Sequence, residues 1–242
     1  MSTFVLKLIA CVTMFIDHYT ELFIPRTLRM VHFLGLRERF PVSYLTGRII
    51  GRIAFPIYCF LLVEGFFRTQ NRRKYMARMA VFALISELPF DLAFQVKGGQ
   101  IQVEALIRHQ NVMITLLLGL ILMYVYEWIK MKYFTQPYIF NTLGVIAIVG
   151  IGGAAALLKT DYGMGGILLI MVFYFFRGQK PLLFIGAAVV MAVFINRIEL
   201  FGLVAFLPIF LYNGKRGPKV KYAFYAFYPV HLLLLWWAAY IL

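Results

Sequence analysis

Apolar residues run for one to two dozen positions at a time along this chain, and each run closes at a charge, a proline or a glycine. Such runs lie near 5–24, 47–67, 76–95, 111–129, 141–158, 163–176, 182–195, 200–211 and 224–242. A helix needs about 20 apolar residues to cross a bilayer, so the pattern predicts an all-α, polytopic transmembrane helix bundle of about nine spans. The runs at 182–195 and 200–211 are short for a crossing. They read as tilted or half-helices, or as one element broken around "NRIEL" (Asn196 to Leu200), which gives eight spans. The first run lacks a small-residue cleavage site and is long enough to stay in place as a span. With no soluble segment, linker or internal repeat, residues 1–242 read as one integral-membrane domain.

Composition agrees with that pattern. Hydrophobic residues make up 62% of the chain and charged residues 14%, with a mean hydropathy of +0.82, which excludes an ordinary soluble domain. The net charge of +14 is read first as topology and lipid-headgroup contact, and nucleic acid is not an expected partner. A cytoplasmic N-terminus places Lys7, the cluster Arg68, Arg72, Arg73, Lys74 and Arg78, then Lys130, Lys132, Arg177, Lys180, Lys215, Arg216, Lys219 and Lys221 inside. Outside it leaves Arg26, Arg29, Arg37, Arg39, Arg48, Lys97, Arg108, Lys159 and Arg197. The bias favours this orientation, and the Arg-rich first outer loop runs against it. A bacterial cytoplasmic membrane is the expected location. Cys11 and Cys59 fall in mid-span as small hydrophobes, and the histidines at 18, 32, 109 and 231 have no ligand spacing, so no metal site is expected.

Charges inside the bilayer cost at least a few kcal/mol, so each needs a partner, a wet cavity or a function. The stretch "MFIDHYTEL" puts Asp17, His18 and Glu21 in the first span, where His18 is a candidate proton acceptor and a packing histidine is the plain alternative. In "GRIIGRIAFPIYCFLLVEGFFR", Arg48 and Arg52 share a face at i and i+4, suited to a carboxylate, phosphate or developing oxyanion. Pro56 should break the hydrogen-bond ladder at the Arg52 carbonyl and kink the helix there. Glu64 pairs most simply with Arg68 at i+4, and it is also a candidate substrate contact. Glu87 and Asp91 flank Pro89 in "SELPFDLAF" and are natural counter-ions for the two arginines. In "RHQNVMIT", Gln110 and Asn111 can cap a helix or orient a substrate carbonyl. His231 follows Pro229 in the last span, where a packed histidine is the simpler reading.

Five blocks, "LKLIACVTMFIDH", "GRIAFPIYCFLLVEGFFRT", "RKYMARMAVFALISELPFDLAF", "HQNVMITLLLG" and "YAFYPVHLLLLW", resemble the TraX family, whose namesake is linked to N-terminal acetylation of F pilin. That family is similar to a broader group of membrane acyltransferases, which includes the acyltransferase-3 family and heparan-α-glucosaminide N-acetyltransferase. The resemblance implies transfer of an acyl group from cytosolic acetyl-CoA to an acceptor at the far side, through an intramembrane histidine. It gives His18 the role of base or acyl carrier, with Asp17 or another acid such as Glu87 or Asp91 steadying the imidazolium. Arg52, with Asn111, would face the oxyanion, while Arg48, Gln110 and Glu64 would contact substrate. Arg68, Arg72, Arg73 and Lys74, or Lys215 and Lys219, would meet the phosphates of acyl-CoA. The acceptor, a peptide, glycan or small molecule, and the oligomeric state are not specified.

Two other classes fit the same residues. A small proton-coupled transporter could use His18, Glu87 and Asp91 as a relay, although the repeated halves common in transporters are absent. In an assembly or scaffold protein the buried charges would only fix helix packing.

Overall fold

The computed structural model describes residues 1–33, 42–95, 109–218 and 220–240, with their side chains except at 25–33 and 221. The topology expectations for Arg26, Arg29, Arg37, Arg39, Lys97, Arg108, Lys219 and Lys221 lie outside the described side chains. The α-helices are α1 (Thr3–Phe33), α2 (Val42–Gly51), α3 (Ala54–Arg68), α4 (Arg72–Phe94), α5 (Val112–Tyr133), α6 (Pro137–Leu157), α7 (Gly163–Phe175), α8 (Lys180–Val190), α9 (Phe206–Phe210) and α10 (Lys221–Tyr240). Every apolar run therefore holds a helix. A π-helical turn, Met191–Ile195, ends α8, and a 3-10 helix, Arg197–Ala205, leads into α9. Thr3–Ile24, Val42–Arg68, Val112–Tyr133, Pro137–Leu157 and Tyr222–Tyr240 are long and apolar enough to cross a membrane, whereas Gly163–Phe175 and Lys180–Ile195 are shorter. Large apolar side chains such as Leu84, Val145, Ile146 and Leu234 stand exposed, as a surface facing lipid requires.

The chain forms two compact units. One holds Met1–Tyr58, Leu88–Gln102 and Arg197–Leu242, and the other holds Cys59–Glu87 and Val103–Asn196. The boundary falls inside α3 and α4.

In the first unit α1 packs against α2 and α10, and α2 against the 3-10 helix. Two glycines set the α1–α2 approach. A Cβ at Gly51 would fall 2.2 Å from Asp17 Oδ1, and one at Gly47 would fall 2.1 Å from Thr20 Oγ1. Only a hydrogen fits at either place, the small-residue device by which membrane helices bring their backbones together. Pro56 has no N–H to return to the Arg52 carbonyl, and the helix breaks there, α2 ending at Gly51 and α3 starting at Ala54. The start of α1 is stitched to the segment after α9: Thr3 N donates to Lys215 O at 2.9 Å and Asn213 N to Met1 O at 2.9 Å.

In the second unit α5, α6 and α7 pack mutually and α8 lies against α7. Asn111 opens α5 as its N-cap, its side-chain oxygen accepting from Met113 N at 2.9 Å. A single bridge joins Gln110 to Thr160 ahead of α7.

Candidate functional site

The buried charges of the first unit converge on Asp17. Its Oδ1 lies 2.9 Å from Arg48 Nη1 and its Oδ2 2.7 Å from Arg52 Nη2. Arg52 Nη1 reaches Glu199 Oε1 at 2.5 Å, and its Nε donates to the Arg48 carbonyl at 3.2 Å. Arg48 also meets Glu21 at 3.3 Å, and Tyr44 donates to the same Glu21 oxygen at 2.9 Å. Asp17, Arg52 and Glu199 are all buried, so their charges are compensated inside the protein rather than by water. The network ties α1, the α2–α3 break and the 3-10 helix together. Nine residues is long for a 3-10 helix, a form usually limited to three or four, and it is this segment that carries Glu199.

Several expectations change here. The carboxylates set against Arg48 and Arg52 are Asp17, Glu21 and Glu199, whereas Glu87 and Asp91 have other engagements. Asp91 is buried, and its Oδ1 accepts from Gln95 at 2.9 Å. All three guanidinium nitrogens of Arg52 face acceptors, which makes it a structural tie of the network. Asp17 is held by the arginines, not by the imidazole of His18. Glu199, within the "NRIEL" stretch, is a full member of the network.

His18 instead meets His231. Its Nδ1 lies 2.8 Å from His231 Nε2, and His231 Nδ1 lies 2.7 Å from the carbonyl oxygen of Phe227. The two ring planes are nearly parallel, 8° apart, with centroids 5.0 Å from each other. Aromatic side chains enclose them: Phe94 at 5.2 Å and Tyr228 at 6.2 Å from His18, and Phe227 at 4.5 Å from His231. No hydrogen bond among the described residues engages His18 Nε2. His231 looked like a packing residue in the sequence, and no local signal links it to a histidine 213 positions earlier.

The second unit places the other candidates. Glu64 joins Arg68 at 3.0 Å, as the i+4 spacing suggests, and also Arg177 at 2.7 Å. Asn111 donates to the Ala83 carbonyl at 3.0 Å and to Glu87. Both of its amide hydrogens are thereby used, so its expected contact with an oxyanion is not available. Gln110 is drawn into the turn by its backbone, which bonds Lys159 O at 3.1 Å. Near the start of α4, Thr69, Gln70, Asn71, Arg72, Arg73 and Tyr124 line an open depression of about 380 Å³. Arg72 lies over the Phe66 ring at 4.2 Å, and a hydrogen bond to Tyr124 raises the pKa of the Arg73 guanidinium above its ordinary value. Asn71 accepts from Lys74 N at 2.8 Å and so orders this end of the helix. Among the described residues no group of three or more His, Cys, Asp and Glu could hold a metal ion.

The family described as "TraX protein" matches residues 2–238. The chain belongs to the TraX family. Its similarity extends to a protein of Dichelobacter nodosus named "Probable fimbrial assembly protein FimC, serogroup H1", with 29% identity covering 97% of this chain and 94% of that one. No solved structure matches. Within the TraX match fall both the histidine pair and the whole Asp17 network.

Proposed function

We propose that this integral membrane protein is an acetyltransferase acting in pilus or fimbrial assembly, seated in the bacterial cytoplasmic membrane with its N-terminus in the cytoplasm. It moves an acetyl group from acetyl-CoA to an amine or hydroxyl of a peptide, glycan or other acceptor. The observation that carries this reading is His18, a histidine within a membrane span whose Nε2 is left without a hydrogen bond among the described residues. Membership of the TraX family and the likeness to a protein named for fimbrial assembly support the setting.

The reaction follows from that nitrogen. The acceptor N–H or O–H gives its proton to His18 Nε2 as its heteroatom attacks the thioester carbonyl. A C–N or C–O bond forms, the C–S bond breaks, and the imidazolium returns the proton to the departing thiolate, releasing CoA as the free thiol. The aromatic rings of Phe94 and Tyr228 beside His18 lower the local dielectric around that nitrogen. Arg72 and Arg73 stand at an open surface, where guanidiniums suit phosphate groups.

The test is release of free CoA from acetyl-CoA by purified protein in nanodiscs, with wild type compared with His18→Ala at equal folded amounts. Turnover lost in the variant supports the reading. An equal rate in both proteins would remove His18 from the chemistry, and none in wild type together with proton uptake into liposomes would replace the reading with the transport alternative.

A further inference from the structure

We infer that His231 is a positioning residue for this chemistry, holding His18 in the one neutral form that can act as a base; this rests on the function proposed above. Its ground is the direction of a hydrogen-bond chain. A carbonyl oxygen can only accept, so the 2.7 Å contact to Phe227 O requires the proton of His231 to sit on Nδ1. In a neutral ring this leaves His231 Nε2 as an acceptor. The 2.8 Å contact then requires His18 to donate from its own Nδ1, which leaves the lone pair of His18 on Nε2.

The backbone of α10 thus dictates, through two imidazoles, which nitrogen of α1 is basic. Isolated neutral imidazoles favour the other form, with the proton on Nε2, so without a partner His18 would mostly present an N–H where the acceptor must lose a proton. When Nε2 takes that proton, His18 Nδ1–H remains bonded to His231 Nε2, which stabilises the imidazolium where Asp17, committed to two arginines, does not. His231 therefore does the work that an aspartate does in a serine hydrolase triad, with a backbone carbonyl as the final anchor. An in-plane hydrogen bond needs parallel rings set end to end, which the 8° interplanar angle and the 5.0 Å centroid separation together allow across the 2.8 Å contact.

Two substitutions separate positioning from packing. The side-chain carbonyl of His231→Gln can still accept from His18 Nδ1–H, whereas His231→Leu fills the space with no acceptor. The readouts are 15N NMR of histidine-labelled protein in nanodiscs, assigned with His18→Gln, and the kcat and KM for acetyl-CoA. In wild type, His18 is expected to show a protonated Nδ1 and an unprotonated Nε2. His231→Gln should keep that signature with kcat within a few-fold. His231→Leu should shift His18 towards the Nε2–H form and lower kcat on the order of 100-fold with KM unchanged. A wild-type His18 protonated on Nε2, or a folded Leu variant with the wild-type signature and rate, overturns the inference. If His231→Leu does not fold, the wild-type spectrum and the Gln variant decide alone. The spectrum does not depend on turnover, so an inactive wild type with the expected His18 signature would defeat the proposed function while leaving the tautomer assignment intact.

Discussion

Replacing Asp17 by Asn keeps the size of the side chain and removes the charge on which two arginines rest. The amide also brings N–H groups against a guanidinium that can only donate. Asp17, Arg52 and Glu199 side chains are 12%, 11% and 6% exposed, so the lost partner is not replaced by water. Breaking one side of a buried pair costs about 3–5 kcal/mol, and Asp17→Asn is expected in that range. Glu199→Gln, which leaves Arg52 with Asp17 and a carbonyl, should fall towards its lower end, about 3 kcal/mol. Glu21 is 36% exposed, and Glu21→Gln should cost below about 1 kcal/mol. Equilibrium unfolding by SDS titration in mixed micelles measures all three, and the Asp17→Asn/Glu199→Gln double variant should show a coupling of about 0.5–3 kcal/mol through Arg52. Equal losses from Glu21→Gln and Asp17→Asn, or strict additivity in the double variant, would refute a network centred on Asp17.

Gly51→Ala should cost about 1–3 kcal/mol in the same titration, because the new methyl would lie 2.3 Å from Asp17 Cβ, where no rotamer change gives relief; a neutral result would mean that α1 and α2 pack less closely than described. Asn111→Ala should lose about 0.5–2 kcal/mol for the cap alone and speed amide hydrogen exchange at Met113, the N–H the side chain accepts; unchanged exchange there would show that the cap is not what holds the first turn of α5.

The helices were legible because the bilayer imposes a length and an apolar surface on each one, and both can be read along a chain. Local chemistry was legible for the same reason: Pro56 breaks its helix beside Arg52, Asn111 caps α5, and Glu64 finds Arg68 one turn away. Partners on different helices were not. Whether Arg52 meets Glu87 or Glu199 depends on which helices are neighbours and on the rotation of each about its axis, and neither is set by hydrophobic periodicity when most faces of a span are apolar. Glu199 lies 147 residues from Arg52, on a 3-10 segment at the edge of an apolar run that is short for a crossing. His231 was hidden by its setting, since a histidine in an aromatic and leucine-rich helix looks inert until its ring is seen facing another. The resemblance pointed to His18 as the reacting group, but the sequence blocks contain nothing that says which of its nitrogens is basic.

The pairing of the first helix with the last has a consequence for biogenesis. Asp17 and Glu21 on α1 meet Arg48 on α2 and Arg52 just beyond it, so the hairpin that leaves the ribosome first enters the bilayer with its charges already balanced. His18 has no such early companion. Its partner is made 213 residues later, in α10, and a nascent or truncated chain ending before that helix carries every buried charge of the hairpin without an oriented base. If His18 acts as proposed, the protein stays chemically silent throughout its synthesis, and insertion of the final helix is the event that arms it.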